Sequence, residues 1–223
     1  MSAGTLNISE IFHSIQGESS FAGWPCAFIR LAGCGHGCFG CDTAYAERDG
    51  VKLGIEEVVQ KAVAFQAPFI EVTGGEPLLQ PAVYSLMQQL CDLDQKVLLE
   101  TGGFLSVAGV DRRVHKIIDL KPPSSGVCDQ NNPENIELAL AAGLPHRQSF
   151  EFKIVIANKG DYEWATALLQ EYCLMDSFTI MMGVAFGKLD PEELATWMLR
   201  DRLRARMQLQ LHKYIWDPCR RGV

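Results

Sequence analysis

The sequence predicts an α/β fold, because short apolar or β-branched runs alternate along the chain with longer segments of helical periodicity. This alternation is typical of parallel strands joined by crossover helices. Two glycine-rich stretches, 33–40 and 73–77, each follow a predicted strand, which is where α/β proteins place their ligands. We therefore expect a parallel sheet with a ligand site at the carboxyl ends of its strands.

The apolar runs predict strands, with helices between most of them. The predicted strands are 27–31, 69–72, 97–100, 116–120, 151–156, 178–181 and 207–211. The clearest helix start is 190–193, where Asp190 can cap the helix, Pro191 suits the first turn and Glu193 stands at the capping-box position. A similar Asn-Pro-Glu stretch at 132–134 predicts a helix through Ala142.

Length and composition indicate one globular domain, 1–223, with 48% hydrophobic and 21% charged residues. No apolar run is long enough to span a membrane, and the N-terminal stretch resembles neither a signal nor a transit peptide. We expect a cytoplasmic protein with no membrane contact. The formal net charge of −7 argues against nucleic acid as a partner and favours a small-molecule substrate.

Three of the eight cysteines, Cys34, Cys38 and Cys41, lie close together on a glycine-rich loop. A structural zinc ion normally takes four protein ligands, and His36 is poorly spaced to be the fourth. A redox pair of Cys38 and Cys41 would leave Cys34 unexplained. Three thiolates on a four-iron cluster would leave one iron open for a ligand. The scattered cysteines are interpreted as small hydrophobes without chemistry: Cys26, Cys91, Cys128, Cys173 and Cys219.

The CxxxCxxC spacing resembles the cluster motif of the radical S-adenosylmethionine (SAM) superfamily, and 73–77 resembles its GGEP element. The resemblance implies an incomplete parallel α/β barrel and a [4Fe-4S] cluster whose open iron is chelated by SAM. It also implies that Gly74, Gly75 and Glu76 receive the SAM amino group. Taken alone, the GGEP stretch would be interpreted as a turn.

Further motifs across nearly the whole chain resemble the 7-carboxy-7-deazaguanine synthase family. They are 10–18 (family EIFxTxQGEG), 30–34 (RxxGC), 41–43 (CDT), 100–103 (ETxG), 121–125 (SPKPPSS), 210–213 (QxH) and 216–223 (a final RGV). In this family 6-carboxy-5,6,7,8-tetrahydropterin becomes 7-carboxy-7-deazaguanine, a precursor of queuosine, with loss of ammonia. A SAM-derived radical removes hydrogen from C6 of the pterin. The resemblance also implies an electron donor such as a flavodoxin, and a homodimer.

The same resemblance implies roles for individual residues. The substrate would contact Ile15, Gln16, Gly17, Glu18, Arg30, His212 and Val223, with a bidentate pair between Arg30 and its carboxylate and with the terminal carboxylate of Val223 reaching the pocket. SAM would be held by Glu100 at the ribose and by Lys121 at the carboxylate, and Mg²⁺ by Thr43.

Simpler interpretations stay open for several of these residues. Glu18 and Arg30 could pair with each other, His212 could be structural and Thr43 could be a turn residue. The chain also departs from the family at a few positions, which are Ser19, Gly40, Asp119 and Met181. Gly40 replaces the aromatic residue before the third cysteine and leaves the adenine contacts open.

Two other functions compete with this interpretation. One is an activase that generates a glycyl radical on a partner protein, which would share the cysteine loop and the GGEP element. The other is a non-catalytic zinc-binding module. The motifs at 16–18, 41–43 and 211–212 favour the synthase, whereas 124–132 suggest no role.

Overall fold

The computed structural model describes residues 4–223, and these form one nine-stranded sheet with five of the six α-helices packed on one side. The strands are β1 (Thr5–Ile15), β2 (Pro25–Leu31), β3 (Val51–Gly54), β4 (Phe69–Gly74), β5 (Val97–Thr101), β6 (His115–Asp119), β7 (Phe150–Ile156), β8 (Thr179–Val184) and β9 (Arg206–Gln208). The helices are α1 (Ile55–Val63), α2 (Ala82–Asp92), α3 (Glu134–Ala141), α4 (Lys159–Glu171), α5 (Pro191–Arg200) and α6 (His212–Ile215).

The strand order is β3-β1-β2-β4-β5-β6-β7-β8-β9, so the sheet is open, with β3 and β9 at its edges. Strands β2 and β4 to β9 run parallel, which confirms the predicted α/β class and the incomplete barrel. Strand β1 is antiparallel to both of its neighbours, β2 and β3. Strands β1 and β3 were not predicted, because no helix separates β1 from β2 and β3 has only four residues.

The boundaries of the other elements are close to those predicted. Strand β9 is the main exception, because it ends at Gln208 and so leaves 209–211 in the following turn. The helix expected through Ala142 ends at Ala141. At the start of α5, the Asp190 carboxylate accepts a hydrogen bond from the backbone N–H of Glu192 (2.9 Å), which confirms Asp190 as the cap.

Successive side chains of a strand point to opposite faces of the sheet, and the two faces here differ in chemistry. The outer face packs against the helices and is apolar, with Ile29, Val72, Leu99, Phe152 and Met182 all inaccessible to solvent. The inner face carries buried or half-buried charges on the same strands, which are Arg30, Glu71, Glu100, Asp119, Glu151 and Lys153. The helices therefore stabilise one face of the sheet and leave the other for polar ligands.

No helix within residues 4–223 has the length and apolar character needed to cross a membrane.

Phe152→Ala should lower the free energy of unfolding by about 3–5 kcal/mol, because the ring is fully buried and packs edge-on against Phe178 (ring centroids 5.3 Å apart). Urea unfolding followed by circular dichroism would measure the loss. Leu199→Ala removes a side chain of α5 that is 79% exposed and should change stability by less than about 0.5 kcal/mol. Equal losses in the two variants would contradict the placement of Phe152 in the core.

Candidate active site

The cysteine loop follows directly from the carboxyl end of β2, and it is tied to its surroundings by backbone hydrogen bonds. Gly33 N–H donates to the carbonyl of Ala46 (2.9 Å), and Phe39 N–H donates to the carbonyl of Ser125 (2.8 Å). Four glycines of this loop have φ between 73° and 95°, which ordinary side chains rarely tolerate, so the loop can curl around an object. Phe39 itself is 78% exposed. The segment 124–132, which suggested no role, thus supports the cysteine loop.

The three thiols of the loop are free and lie near one another. Burial raises the pKa of Cys34 and of Cys38, and neighbouring thiolates raise both further, whereas the Lys121 ammonium lowers the pKa of Cys38. Within residues 4–223 no three Cys, His, Asp or Glu side chains converge as they would around one metal ion. A four-iron cluster takes its thiolates on different irons, so its ligands need not meet at one point.

The glycine motif after β4 packs against the cysteine loop. Gly74 lies on the backbone of Leu31, and Gly75 lies on the carbonyl of Gly33 and the side chain of Cys34, so a Cβ at either glycine would collide. Glu76 N–H also donates to the Gly33 carbonyl (3.0 Å). Small residues here let the cysteine loop and the glycine motif touch, and the residues present fit a cluster with a SAM molecule beside it.

The Glu76 side chain is fully buried and is satisfied by its own chain. Its carboxylate accepts from the Thr101 hydroxyl (2.8 Å), from Gly102 N–H (2.9 Å) and from Leu78 N–H (3.1 Å). Burial raises the pKa of Glu76, although these hydrogen bonds oppose the shift. The carboxylate therefore joins the ends of β4 and β5, and the backbone of the motif is the part that faces the cysteine loop.

Lys153 lies at the centre of the inner face, with only 5% of its side chain exposed. Its ammonium contacts the Glu100 carboxylate and lies 3.3 Å from Glu18 and 3.4 Å from Asp119. Asp119 also binds Lys121 (2.8 Å), which links the proposed SAM residues to the same cluster of charges. Sequence reasoning missed Lys153. The available signal was a Lys two residues after a Glu within an otherwise apolar strand, the spacing of one sheet face.

One oxygen of Glu18, Oε1, is buried and has no hydrogen-bond partner within residues 4–223. Burial raises the pKa of Glu18 to about 7, against the attraction of Lys153 and with help from the negative charges of Glu100, Asp42 and Asp119. An unpartnered buried acceptor is costly unless a ligand supplies a donor. Glu18 is therefore available to bind a polar group that enters the inner face.

The segment 16–20, which we call the crossing segment, runs from the end of β1 across the inner face. Gln16 donates through its amide to the buried carboxyl of Glu71 on β4. On the far side, Ser19 N–H donates to Gln208 Oε1 (2.8 Å), and Ser20 N–H donates to Glu151 (2.9 Å). These bonds to β4, β7 and β9 hold the segment inside the open barrel.

The chain returns to the crossing segment near residue 212. Gly17 packs directly on the imidazole of His212, and Leu211 N–H donates to the carbonyl of Gly17 (3.1 Å). Burial lowers the pKa of His212, which favours a neutral imidazole. Lys213 binds Asp42 (3.0 Å), which fixes α6 to the segment that follows the cysteine loop. The structure thus brings the predicted residues Gln16, Gly17, Glu18 and His212 together.

Arg30 pairs with Glu10 (2.8 Å), so the alternative pairing of Arg30 with Glu18 is wrong. The Tyr45 hydroxyl donates to the same Glu10 oxygen (2.6 Å), and the Arg30 guanidinium lies 5.7 Å from the centre of the Phe12 ring. These contacts come from β1 and from the segment after the cysteine loop. They hold Arg30 at the carboxyl end of β2, near the predicted ligand site.

The remaining predicted residues occupy the rim of the site. The Thr43 hydroxyl is 3.6 Å from Cys41 Sγ. Ile15 is the last residue of β1, immediately before the crossing segment, and is half-buried. Val223 is also half-buried, and its neighbour Arg221 stacks on Tyr45 (4.0 Å), which places the tail beside the group that holds Arg30.

A sequence profile described as the Radical SAM superfamily matches residues 28–127, which include the cysteine loop and the glycine motif. The fold and site thus define a radical SAM enzyme. The chain is 60% identical to the 7-carboxy-7-deazaguanine synthase of Chlorobaculum tepidum, over 98% of this chain and 97% of that protein. It is 38% identical to the synthase of Koribacter versatilis, over 98% of this chain and all of the relative (100%). The chain belongs to the 7-carboxy-7-deazaguanine synthase family.

Solved structures agree with this at the level of the fold. The crystal structure of QueE from Escherichia coli superposes with a TM-score of 0.68 and 21% identity, covering 92% of this chain and 94% of that one. The crystal structure of Streptococcus suis SuiB bound to the precursor peptide SuiA superposes with a TM-score of 0.60 and 14% sequence identity, covering 81% of this chain and 48% of that one. Family membership leaves the activase and the zinc module without support.

Single replacement of Cys34, Cys38 or Cys41 by Ala should remove most of the cluster iron, because each thiolate is expected to bind a different iron. Iron content and visible absorbance after anaerobic reconstitution would measure the loss. Cys91→Ala, in a buried position of α2, and Cys173→Ala, at an exposed position, are the matched controls and should keep their iron. Unchanged iron in the first three variants would refute the ligand set.

Glu18→Gln should flatten the pH dependence of stability. A carboxyl whose pKa is about 7 in the folded protein and 4.5 in the unfolded chain binds its proton more tightly when folded. The free energy of unfolding then falls as pH rises from 4.5 to 7, by roughly 2–3 kcal/mol between pH 5 and pH 8. Glu18→Gln lacks this contribution.

Urea unfolding of both proteins at the two pH values, in the same state of cofactor loading, would measure the difference in slope. Glu163→Gln changes an exposed carboxylate of α4 and should keep the wild-type slope. Parallel profiles for wild type and Glu18→Gln would show that Glu18 is not perturbed by its burial.

Proposed function

We propose that this chain converts 6-carboxy-5,6,7,8-tetrahydropterin to 7-carboxy-7-deazaguanine with loss of ammonia, as a radical SAM lyase of queuosine biosynthesis. The observation that carries the proposal is the 60% identity to a 7-carboxy-7-deazaguanine synthase over nearly the full length of both chains. The matched region covers 98% of this chain and so includes the cysteine loop, the crossing segment and 210–213 together. The geometry of the inner face supports the proposal residue by residue.

Cys34, Cys38 and Cys41 would hold a [4Fe-4S] cluster, and the backbone of Gly74, Gly75 and Glu76 beside them would receive the amino group of SAM. Bound together, cluster and SAM supply a radical that removes a hydrogen atom from the substrate. The protein itself would orient the two ligands and exclude water. The contact between the cysteine loop and the glycine motif would contribute to both.

Lys121 and Glu100 would bind the carboxylate and the ribose hydroxyls of SAM. Lys121 lies on the loop after β6, close enough to Cys38 for each group to shift the pKa of the other. Glu100 is held by Lys153, which leaves it ionised: burial opposes this, but the ammonium lowers the pKa of Glu100 below its ordinary value. An ionised carboxylate is the form that accepts two hydroxyl hydrogen bonds.

The substrate would bind over the crossing segment. Gln16 and Glu18 offer an amide and an unpartnered carboxyl oxygen to the edge of a pterin ring, with Ile15 and Gly17 contributing backbone. His212, packed on Gly17, would contact the ring, while Arg30 would bind the substrate carboxylate and Val223 would close the pocket. A flat ring with many donors and acceptors matches this set of groups.

Thr43 would supply a neutral oxygen ligand to a Mg²⁺ ion shared with the substrate carboxylate. The hydroxyl lies beside Cys41, so the ion would sit next to the cluster and fix the carboxylate there. Water and substrate oxygens would complete the octahedron that Mg²⁺ requires.

We also propose a cytoplasmic location, a flavodoxin-type electron donor and a homodimeric assembly. A reducing compartment suits eight free cysteines, and cleavage of SAM needs an external electron. The formal net charge of −7 agrees with a small-molecule substrate rather than nucleic acid.

Anaerobic incubation with reductant, SAM and 6-carboxytetrahydropterin should yield 7-carboxy-7-deazaguanine without stoichiometric use of SAM. Mg²⁺ should raise the rate on the order of tenfold, equivalent to roughly 1.4 kcal/mol, because it orients the substrate carboxylate. Thr43→Ala should weaken this response and leave the cluster spectrum intact. Chromatography would measure 7-carboxy-7-deazaguanine, which reports turnover of the pterin, and 5′-deoxyadenosine, which reports cleavage of SAM.

Thr166→Ala removes a hydroxyl of α4 that bonds only to backbone carbonyls, and it should respond to Mg²⁺ as the wild type does. Cleavage of SAM without any deazapurine would contradict the proposed substrate.

A further inference from the structure

Glu71 is a buried acid on the inner face that has no part in the proposed function. It lies on β4 with 1% exposure, in register with the buried Phe28 of β2 and Leu98 of β5. Its carboxyl group accepts a hydrogen bond from the amide of Gln16, and the side chain of Glu100 lies on the same face of the neighbouring strand β5, two residues beyond Leu98. Gln16 and Glu100 are the residues proposed above to bind the pterin and the SAM ribose, so Glu71 connects the two halves of the site.

Two carboxyl groups that share one buried face on neighbouring strands are not both readily ionised, because like charges repel strongly where water is excluded. The cations that face this pair are Lys153 on β7 and Arg30 on β2. Lys153 contacts Glu100 directly, and Arg30 is bound to Glu10. Burial raises the pKa of Glu71 well above its ordinary range, and Glu100 raises it further, whereas Lys153 lowers the pKa of Glu100. Among residues 4–223 no Lys or Arg lies within 4.0 Å of the Glu71 carboxyl, whereas Glu100 contacts Lys153, so the geometry also favours the proton on Glu71.

We propose that Glu71 is a positioning residue that works as a neutral acid, donating its O–H to Glu100 and accepting the amide N–H of Gln16. A single buried group then sets the direction of a carboxylate that faces SAM and of an amide that faces the substrate. The inference rests on the proposed function, since the roles of Gln16 and Glu100 do. It differs from a purely structural role because the hydrogen-bonding pattern of the acid, and not only its volume, is required.

A neutral carboxyl has one donor and one acceptor, and a Gln side chain offers both in nearly the same shape. Glu71→Gln should therefore keep the KM for 6-carboxytetrahydropterin within about twofold of wild type. Glu71→Leu keeps similar bulk without polar atoms, and Glu71→Asp keeps the acid but withdraws it by one methylene. Both should raise this KM about tenfold, the scale of one displaced hydrogen bond, with unchanged iron content. If Glu71→Leu does not fold, the comparison is made between Glu71→Gln and Glu71→Asp.

Infrared spectroscopy of the holoenzyme at pH 9 supplies a readout independent of activity. The wild type should show the carbonyl stretch of a protonated carboxylic acid, which shifts in D₂O and disappears in Glu71→Gln. Glu18→Gln should keep the band, because the pKa of Glu18, about 7, leaves that group ionised at pH 9.

Absence of the band from wild type, or a loss in Glu71→Gln as large as in Glu71→Leu, would overturn the inference by showing that Glu71 acts as an anion. Unchanged KM in both Glu71→Leu and Glu71→Asp would also overturn it. A wild-type protein that shows the band but forms no deazapurine would count against the proposed function and still support the protonated contact.

Discussion

The inner face of the sheet depends on the ammonium of Lys153. Carboxylates from the crossing segment, β5 and β6 all lie against this cation, and it is almost inaccessible to water. Desolvating so many charges costs several kcal/mol per ion, which is recovered only while the partners stay in place. Removing a partner of a buried pair typically costs about 3–5 kcal/mol, so the geometry of Glu18, Glu100 and Asp119 is mutually enforced. The helices stabilise the fold from the other side, but this cation gives the ligand-binding side its shape.

Much of the fold follows from the local sequence. Strands such as β7 and β8 are predictable because they are rich in apolar and β-branched residues and each is followed by a segment of helical periodicity. Strand β1 mixes polar and apolar residues and begins the chain's described part without a helix before it, so it resembles an extended motif rather than a strand. The short β3 pairs only with β1 and carries little periodic signal of its own. Strands of this kind depend on their neighbours, which no local pattern reveals.

In the candidate site, the contiguous motifs were predictable from the sequence, whereas the contacts between strands were not. Motif spacing identifies the cysteine loop and the crossing segment, because each is contiguous in sequence. Lys153, Glu71 and Asp119 are charges within apolar strands, and their importance arises from neighbours on other strands. The hydrogen-bond partners of Arg30 and Glu76 also could not be predicted from the sequence. Arg30 on β2 binds Glu10 on β1, and the carboxylate of Glu76 accepts its hydrogen bonds from Thr101 and Gly102 at the end of β5.

The contact of Gly17 with His212 joins segments that the ribosome makes far apart in time. The cysteine loop and the strands behind it, up to β7, can emerge and pair before residues 208–212 have been synthesised. The crossing segment must wait, since Gln208 and Leu211 are among the groups that hold it in place. Gln16 and Glu18 therefore reach their final positions only late in synthesis, after the strands that flank them are complete.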